Sequence, residues 1–367
     1  MVVHSRHDHG FRVPRPDRSV SMGTPNACSD CHRDKSPEWA AAAIENWYGP
    51  ERKGHQNFSE ALHAARNDAP AASGLLHRAV TDPQTPGIAA ATAYAEMSRY
   101  LTPALLADLR QGFADADPLI RLGTLRGLEG VPPEQRWALA GPLLTDPARA
   151  VRVQAMALLA SVSVARLSPD ERQRFEVAAR EYVEVQRFSA DRPEARVTLG
   201  AFFAQRGEPD KAEAEYRAAI KLAPRSTPAY VNLADLYRGL GRDKEGETIL
   251  RDALAIAPAN AAVHHALGLL LVREHRLPEA AAMLAKATGL DPQQAHYAYV
   301  HAIALNSMGQ RDEARRVLEA NHTRHLADRE TLAELASLAR DAGDQTAAAH
   351  WAELLSRLNG GRSSARE

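Results

Sequence analysis

Cys28 and Cys31 are the only cysteines in this 367-residue chain, and His32 follows them at once in the run Cys28-Ser29-Asp30-Cys31-His32. The chemistry this spacing suits is covalent attachment of c-type haem. The two thiols add across the porphyrin vinyl groups, and the adjacent imidazole ligates the iron from one face. A zinc site is an alternative, but it needs two further ligands, for which His7 and His9 are available. A dithiol redox pair would sit on the strand-to-helix turn of a βαβ unit, and no such pattern surrounds these cysteines. Haem accounts for the immediate histidine and requires no third cysteine, so one covalent haem c, held by Cys28, Cys31 and His32, is the expected cofactor.

A second axial ligand sets the iron's potential: methionine raises it and histidine lowers it. Met22 stands too near Cys28 to arrive from the opposite face, and Met97 falls in a region of helical repeats. His9, in Asp8-His9-Gly10-Phe11-Arg12-Val13-Pro14-Arg15-Pro16, can arrive there from an extended segment and is the expected distal ligand, with His4, His7 and His55 as alternatives. The metal ligands are thus His32 and His9.

The elements that must position these groups begin with residues 1–72, a c-type haem-binding segment. Gly10, Pro14, Pro16, Gly23 and Pro25 mark its first part as irregular, extended chain. Ser36-Pro37-Glu38 reads as cap, first helical residue and first-turn acid, and Gly49-Pro50 as a stop. Between them Ala40, Ile44 and Trp47 share a helical stripe, which covers either a small core or the edge of a haem.

The carboxy-terminal half is repetitive. From Pro193 it carries Leu199-Gly200, Phe203, Ala212, Tyr216, Ala219 and Pro224. Thirty-four residues on stand Leu233-Ala234, Tyr237, Gly246, Leu250, Ala253 and Pro258, and after another thirty-four Leu267-Gly268, Leu271, Ala280, Leu284, Ala287 and Pro292. A weaker fourth copy has His301-Ala302, Leu305, Ala314 and Leu318; a fifth, expected out of register, has Leu335-Ala336, Ala339 and Ala348. Small residues let the two helices of a hairpin approach, larger ones fill the groove between hairpins, and proline ends the second helix. Over 190–358 this resembles the tetratricopeptide repeat family. The resemblance implies helical hairpins that bind a protein partner on their concave face.

Residues 73–166 show a looser repeat in which Asp82-Pro83, Asp117-Pro118 and Asp146-Pro147 precede apolar helical patterns, with Arg121, Arg149 and Arg152 close behind the last two. An Asp-Pro pair suits a helix start, the carboxylate capping free amides and proline occupying the first turn. This stretch resembles HEAT-type repeats. Leu167-Ser168-Pro169-Asp170-Glu171 caps a connecting helix over 167–189, and 359–367 reads as a disordered polar tail. The expected fold is all-α: a small irregular haem segment followed by an α-solenoid of HEAT-like and tetratricopeptide repeats.

A formal net charge of −1 excludes a global field that selects nucleic acid, and no run of eighteen apolar residues marks a membrane span. The segments Arg6–Asp17, Gly23–Cys28 and Trp47-Tyr48-Gly49, with the repeats behind them, are similar to the last haem segment of multihaem cytochromes c in which such domains precede HEAT and tetratricopeptide repeats. That resemblance implies further Cys-x-x-Cys-His sites upstream, an export signal and a periplasmic or other extracytoplasmic location. Met1-Val2-Val3-His4-Ser5-Arg6 lacks the charged-then-apolar pattern of a signal, so the chain is expected to be amino-terminally truncated. The expected function is that of a c-type cytochrome fragment, more an electron carrier than a catalyst. It would pass electrons to a redox partner protein or to haems of a missing upstream segment. The rival is a helical-repeat scaffold without haem, whose Cys/His site binds zinc or is only structural.

Overall fold

A computed structural model describes residues 15–50, 58–67, 69 and 71–360, and among them every regular element is helical. They fall into two compact units, Met1–Leu158 and Leu159–Glu367. The distal-ligand candidates His4, His7, His9 and His55, and the tail beyond 360, lie outside the described residues.

The first unit opens with α1 (Pro16–Met22), α2 (Cys28–Cys31) and α3 (Pro37–Tyr48). Helix α1 corrects the expectation of extended chain. Pro16 occupies its first turn, Asp17 complements the free amides there, and Gly23 ends it at φ 69°, donating its N–H to the Ser19 carbonyl. Proline and glycine here punctuate a helix and do not prevent one. Helix α3 starts as expected, with Ser36 Oγ accepting the Trp39 N–H at 3.4 Å. It packs on α1, and the pair buries Pro16, Ser19, Ala40 and Ile44. Trp47, on the same stripe, is not buried with them: it is 70% exposed, because α1 is only two turns long and covers a single patch of α3.

After α4 (Phe58–Arg66) come three helix pairs: α5 (Ala72–Thr81) with α6 (Gly87–Glu96), α7 (Pro103–Gly112) with α8 (Pro118–Gly127), and α9 (Pro133–Ala140) with α10 (Arg149–Leu159). Helix α5 packs on α7 and α6 on α8, the stacking of a helical-hairpin repeat. The approach of α6 and α8 is close enough to require glycine. A Cβ at Gly123 would stand 2.1 Å from the Ala91 carbonyl oxygen, and one at Gly127 2.5 Å from that of Tyr94.

The aspartates of this repeat keep a different register from the one Asp117 implies. Asp117 does cap α8, its Oδ1 accepting the Leu119 N–H at 2.8 Å. The recurring group, however, is Asp82, Asp115 and Asp146. Each accepts the N–H two residues on, from Gln84 at 2.9 Å, Asp117 at 2.7 Å and Ala148 at 2.8 Å. The arginines follow the same register: Arg121 Nη1 donates to the Asp115 and Ala116 carbonyls, and Arg152 Nη1 to those of Asp146 and Pro147. Arg121 also reaches the next repeat, donating from Nε and Nη2 to the Asp146 carboxylate at 2.7 and 2.8 Å. Burial opposes ionisation of Asp146, but the hydrogen bonds from Arg121 and the Ala148 amide hold its carboxyl below the usual range.

In the second unit α11 (Pro169–Phe188) begins with a capping box: Ser168 Oγ accepts the Glu171 N–H and the Glu171 carboxylate accepts the Ser168 N–H. It turns Phe175, Ala178, Ala179 and Tyr182 inward, and Tyr182 meets Phe202 with ring centroids 4.5 Å apart. Hairpins then follow: α12 (Pro193–Gln205) with α13 (Pro209–Leu222), α14 (Pro228–Gly239) with α15 (Asp243–Ile256), α16 (Ala261–Arg273) with α17 (Leu277–Leu290), α18 (Ala295–Ser307) with α19 (Arg311–Arg324), and α20 (Arg329–Asp341) with α21 (Gln345–Gly360).

The last hairpin corrects the expectation of a lost register. Leu335 and Ala348 stand 34 residues after His301 and Ala314, and Leu335 and Leu338 enter one core with Leu305, Leu318 and Ala314. His301, in the place of Leu199, Leu233 and Leu267, is the irregular member. Helix α21 also runs to Gly360, two residues into the expected tail.

Each turn between the helices of a hairpin needs a left-handed residue. Gly207, Gly241, Gly309 and Gly343 supply it at φ 71–76°, whereas the third hairpin uses His275 at φ 60°. Between hairpins the second helices are laced by ion pairs in the same period. Arg242 joins Glu213 of the preceding hairpin to Glu245, and Arg276 joins Glu247 to Glu279.

Candidate functional site

The cysteine motif forms one helical turn. The His32 N–H donates to the Cys28 carbonyl at 2.8 Å, which closes the turn. Cys28, Cys31 and His32 therefore stand at i, i+3 and i+4, the spacing that puts side chains on one side of a helix. Both thiols are free; Cys28 is half-buried, while Cys31 and His32 are exposed. Asn26 braces the turn from outside. Its Oδ1 accepts from the N–H and Oγ of Ser29, at 3.2 and 3.3 Å, and its Nδ2 donates to Ser19 Oγ of α1 at 2.8 Å. Trp39 of α3 lies beside His32, ring centroids 4.9 Å apart and tilted by 54°, and keeps 41% of its own surface exposed. The sequence reading brought together the two cysteines and the histidine but missed both Asn26 and Trp39. The signal for Asn26 was available: an Asn two residues before a helical turn is a capping residue.

Metal coordination makes a stricter demand than one-sided presentation, since zinc ligands must converge within about 2.0–2.3 Å of a single point. Among the described residues no group of three or more His, Cys, Asp or Glu side chains is arranged to hold a metal ion. Among those residues, too, no helix is long and apolar enough to cross a membrane.

The second unit offers a different kind of site. Its first helices stack directly, α12 on α14, α14 on α16 and α18 on α20, and so line one face. Between α12 and α14 this face carries a groove of about 550 Å³, bordered by Ala201, Ala204, Asn232, Asp235, Leu236 and Leu240. From α16 to α20 it becomes aromatic. His265 meets Tyr297 at 4.6 Å and His296 at 5.7 Å between ring centroids, and His296 meets Tyr299 at 5.9 Å. His296 Nδ1 lies 2.9 Å from Glu330 Oε2, and Asn306 Nδ2 donates to Glu334 Oε1 at 3.4 Å.

Burial pushes His265 down to about 4, and the neighbouring His296 adds to the effect. Tyr299 is pushed up by burial first and then by the charges of Glu330, Glu334 and Asp328. The repeat period contains the signal for this cluster. His265 and Tyr299 are 34 residues apart, as are His296 and Glu330, so each pair occupies one repeat position in successive hairpins.

The tetratricopeptide repeat family matches residues 203–270, the heart of this array. Among solved structures, MamA aligns with 17% identity and a TM-score of 0.41 over 45% of this chain and 97% of its own. YrrB, described as a TPR protein with an unusual peptide-binding site, aligns with 16% identity and a TM-score of 0.38 over 48% of this chain and 90% of its own. The pilF protein of Pseudomonas aeruginosa aligns with 22% identity and a TM-score of 0.40 over 57% of this chain and 93% of its own. No curated protein matches the chain. The part of the expected resemblance that is borne out is the helical repeat, an architecture suited to protein–protein interaction.

Proposed function

We propose that the chain is a helical-repeat scaffold that binds a segment of a partner protein on the face lined by α12, α14, α16, α18 and α20. This is the rival of the cytochrome reading, and the in-register hairpins of the second unit carry it. Stacked repeats of this kind turn a one-dimensional array into an extended surface. Here that surface holds a groove and the exposed Leu269, 43% accessible, and the second helices carry ion pairs between hairpins. The test is selection of binders from a random-peptide library on the intact chain, followed by hydrogen exchange. Protection is expected in the first helices and is lost in a Leu269→Glu variant. Protection confined to the second helices, or binders indifferent to Leu269→Glu, would refute the reading.

A second reading, favoured by the one-sided turn of Cys28, Cys31 and His32, is covalent haem in the first unit. The residues fit the group. Cys28 and Cys31 would hold the porphyrin by thioether bonds and His32 would ligate the iron, with Asn26 and Trp39 fixing the turn and the imidazole. Bound haem supplies reversible one-electron transfer, and it implies an extracytoplasmic location and a redox partner. Expression with a secretion signal and haem-maturation machinery, followed by denaturation and a reduced pyridine spectrum, decides it. Absence of covalent haem in competent cells removes this reading and leaves the scaffold untouched.

A further inference from the structure

The first-helix face changes character along its length, and the change points to the chemistry of its partner. Near α12 and α14 it is a groove bordered by alanine and leucine. Across α16, α18 and α20 it is an aromatic floor of His265, His296, Tyr297 and Tyr299, with the carboxylates of Glu330 and Glu334 at its edge. His296 and Glu330 each keep about half of their side chain exposed, 53% and 51%. Along this face Arg273 pairs with Asp243 of α15 and Arg238 with Asp235 at 3.0 Å, while Arg329, next to Glu330, donates from Nη2 to the Leu358 carbonyl at 3.1 Å. His265, desolvated among the rings, stays neutral at physiological pH. Negative charge beside partly exposed aromatic rings is the environment that attracts an organic cation, through ring quadrupole and carboxylate together.

We infer that the patch of His296, Tyr299, Glu330 and Glu334 receives a basic side chain, lysine or arginine, of the partner protein. The inference rests on the scaffold reading and names the chemistry of the partner. The incoming cation shares Glu330 with His296 and is held over the Tyr299 ring, while the neighbouring apolar positions, Leu269 and Ile303, take the residues flanking it. A basic partner segment also gains from a field that an acidic one must oppose.

The test is binding of matched fluorescent peptides to the intact chain by anisotropy. The peptides share length and apolar content, and carry Lys/Arg, Gln or Glu at the variable positions. Basic peptides are expected to bind at least about tenfold more tightly than neutral ones in low salt, with the advantage shrinking as added salt screens the carboxylates. Glu330→Gln with Glu334→Gln should remove most of that advantage. Tyr299→Ala should weaken binding several-fold, whereas Tyr299→Phe keeps the ring and the affinity. Circular dichroism confirms that these surface variants remain folded. Equal or tighter binding of neutral or acidic peptides, or basic binding unaffected by the two glutamine substitutions, overturns the inference and leaves the scaffold reading standing. Failure of every peptide class to bind this face removes both.

Discussion

Replacing Arg121 by methionine tests the packing of the first unit at its most exposed assumption, that a buried ion pair joins successive repeats. Arg121 and Asp146 are 8% and 7% exposed, and two hydrogen bonds of 2.7 and 2.8 Å link them. Methionine keeps most of the volume but leaves the Asp146 carboxylate buried with the Ala148 amide and the charge of Arg152 as its remaining support. Breaking such a pair from one side costs about 3–5 kcal/mol. The surviving partners put the expected cost at the low end, about 3 kcal/mol, or about a hundredfold faster hydrogen exchange for the amides of α8 and α10.

The pH dependence carries the opposite sign in the two proteins. In the parent the Asp146 carboxyl lies below its unfolded value, so its stabilisation is present above about pH 4 and is lost as pH falls through the folded pKa. In Arg121→Met burial raises that pKa, so the folded state takes up the proton first and the variant gains stability, relative to the parent, as pH falls toward 4. Native-state exchange read by mass spectrometry on the intact chain measures both effects. An exchange increase below about fivefold would refute the argument, since it corresponds to about 1 kcal/mol. So would an Arg121→Met/Asp146→Asn double variant no more stable than the single one.

Four further outcomes follow from named contacts. Gly123→Ala places a Cβ 2.1 Å from the Ala91 carbonyl, and it should destabilise the α6–α8 pair by at least about 1–3 kcal/mol in denaturant titration; an unchanged midpoint would mean that these helices do not approach so closely. His275→Gly relieves the left-handed backbone at φ 60° in the one hairpin turn of its kind without glycine among the described residues, and should raise the melting temperature of the second unit through about 1 kcal/mol. Leu335→Ala should cost about 2–5 kcal/mol, because Leu335 is 1% exposed within the core of the last two hairpins; a loss under about 0.5 kcal/mol would return that hairpin to an exposed, out-of-register position. His265, held near 4 against an ordinary 6.5, makes the second unit lose stability as pH falls from 6.5 toward 4, because the unfolded chain binds the proton first. The full shift corresponds to about 3 kcal/mol, and about half that for a ring water still reaches; a His265→Phe variant should show a flatter profile in acid denaturation.

Much of the architecture was legible because it is local. Ser36, Asp117 and Ser168 begin helices where their spacing said they would, since a cap needs only the amides two or three residues on. The 34-residue period placed the hairpins because the residues that pack each hairpin recur at a fixed spacing. His301 obscured that period by standing where leucine recurs, which made the hairpin beyond it look displaced although Leu335 and Ala348 keep the spacing. In the first repeats the conspicuous Asp-Pro pairs concealed the group that recurs. Asp115 has no proline after it, and its hydrogen bond to the Asp117 amide together with the Arg121 contact to its carbonyl identifies it as the counterpart of Asp146. For the candidate sites, Cys28, Cys31 and His32 were found by spacing, whereas Trp39 and the His265–Glu330 cluster were not.

From the amino-acid sequence alone came the all-helical character and the turn that presents two thiols and an imidazole together, both set by interactions within about four residues along the chain, and the hairpin period, set by recurrence of the same packing residues. Tertiary structure decided which faces those helices bury. The short α1 covers Ala40 and Ile44 and leaves Trp47 in solvent, although all three share a stripe. It also brought Arg121 to Asp146 and His296 to Glu330, pairs 25 and 34 residues apart. Such contacts depend on how one hairpin stacks on the next, a matter of side-chain volume and helix approach that no local pattern contains.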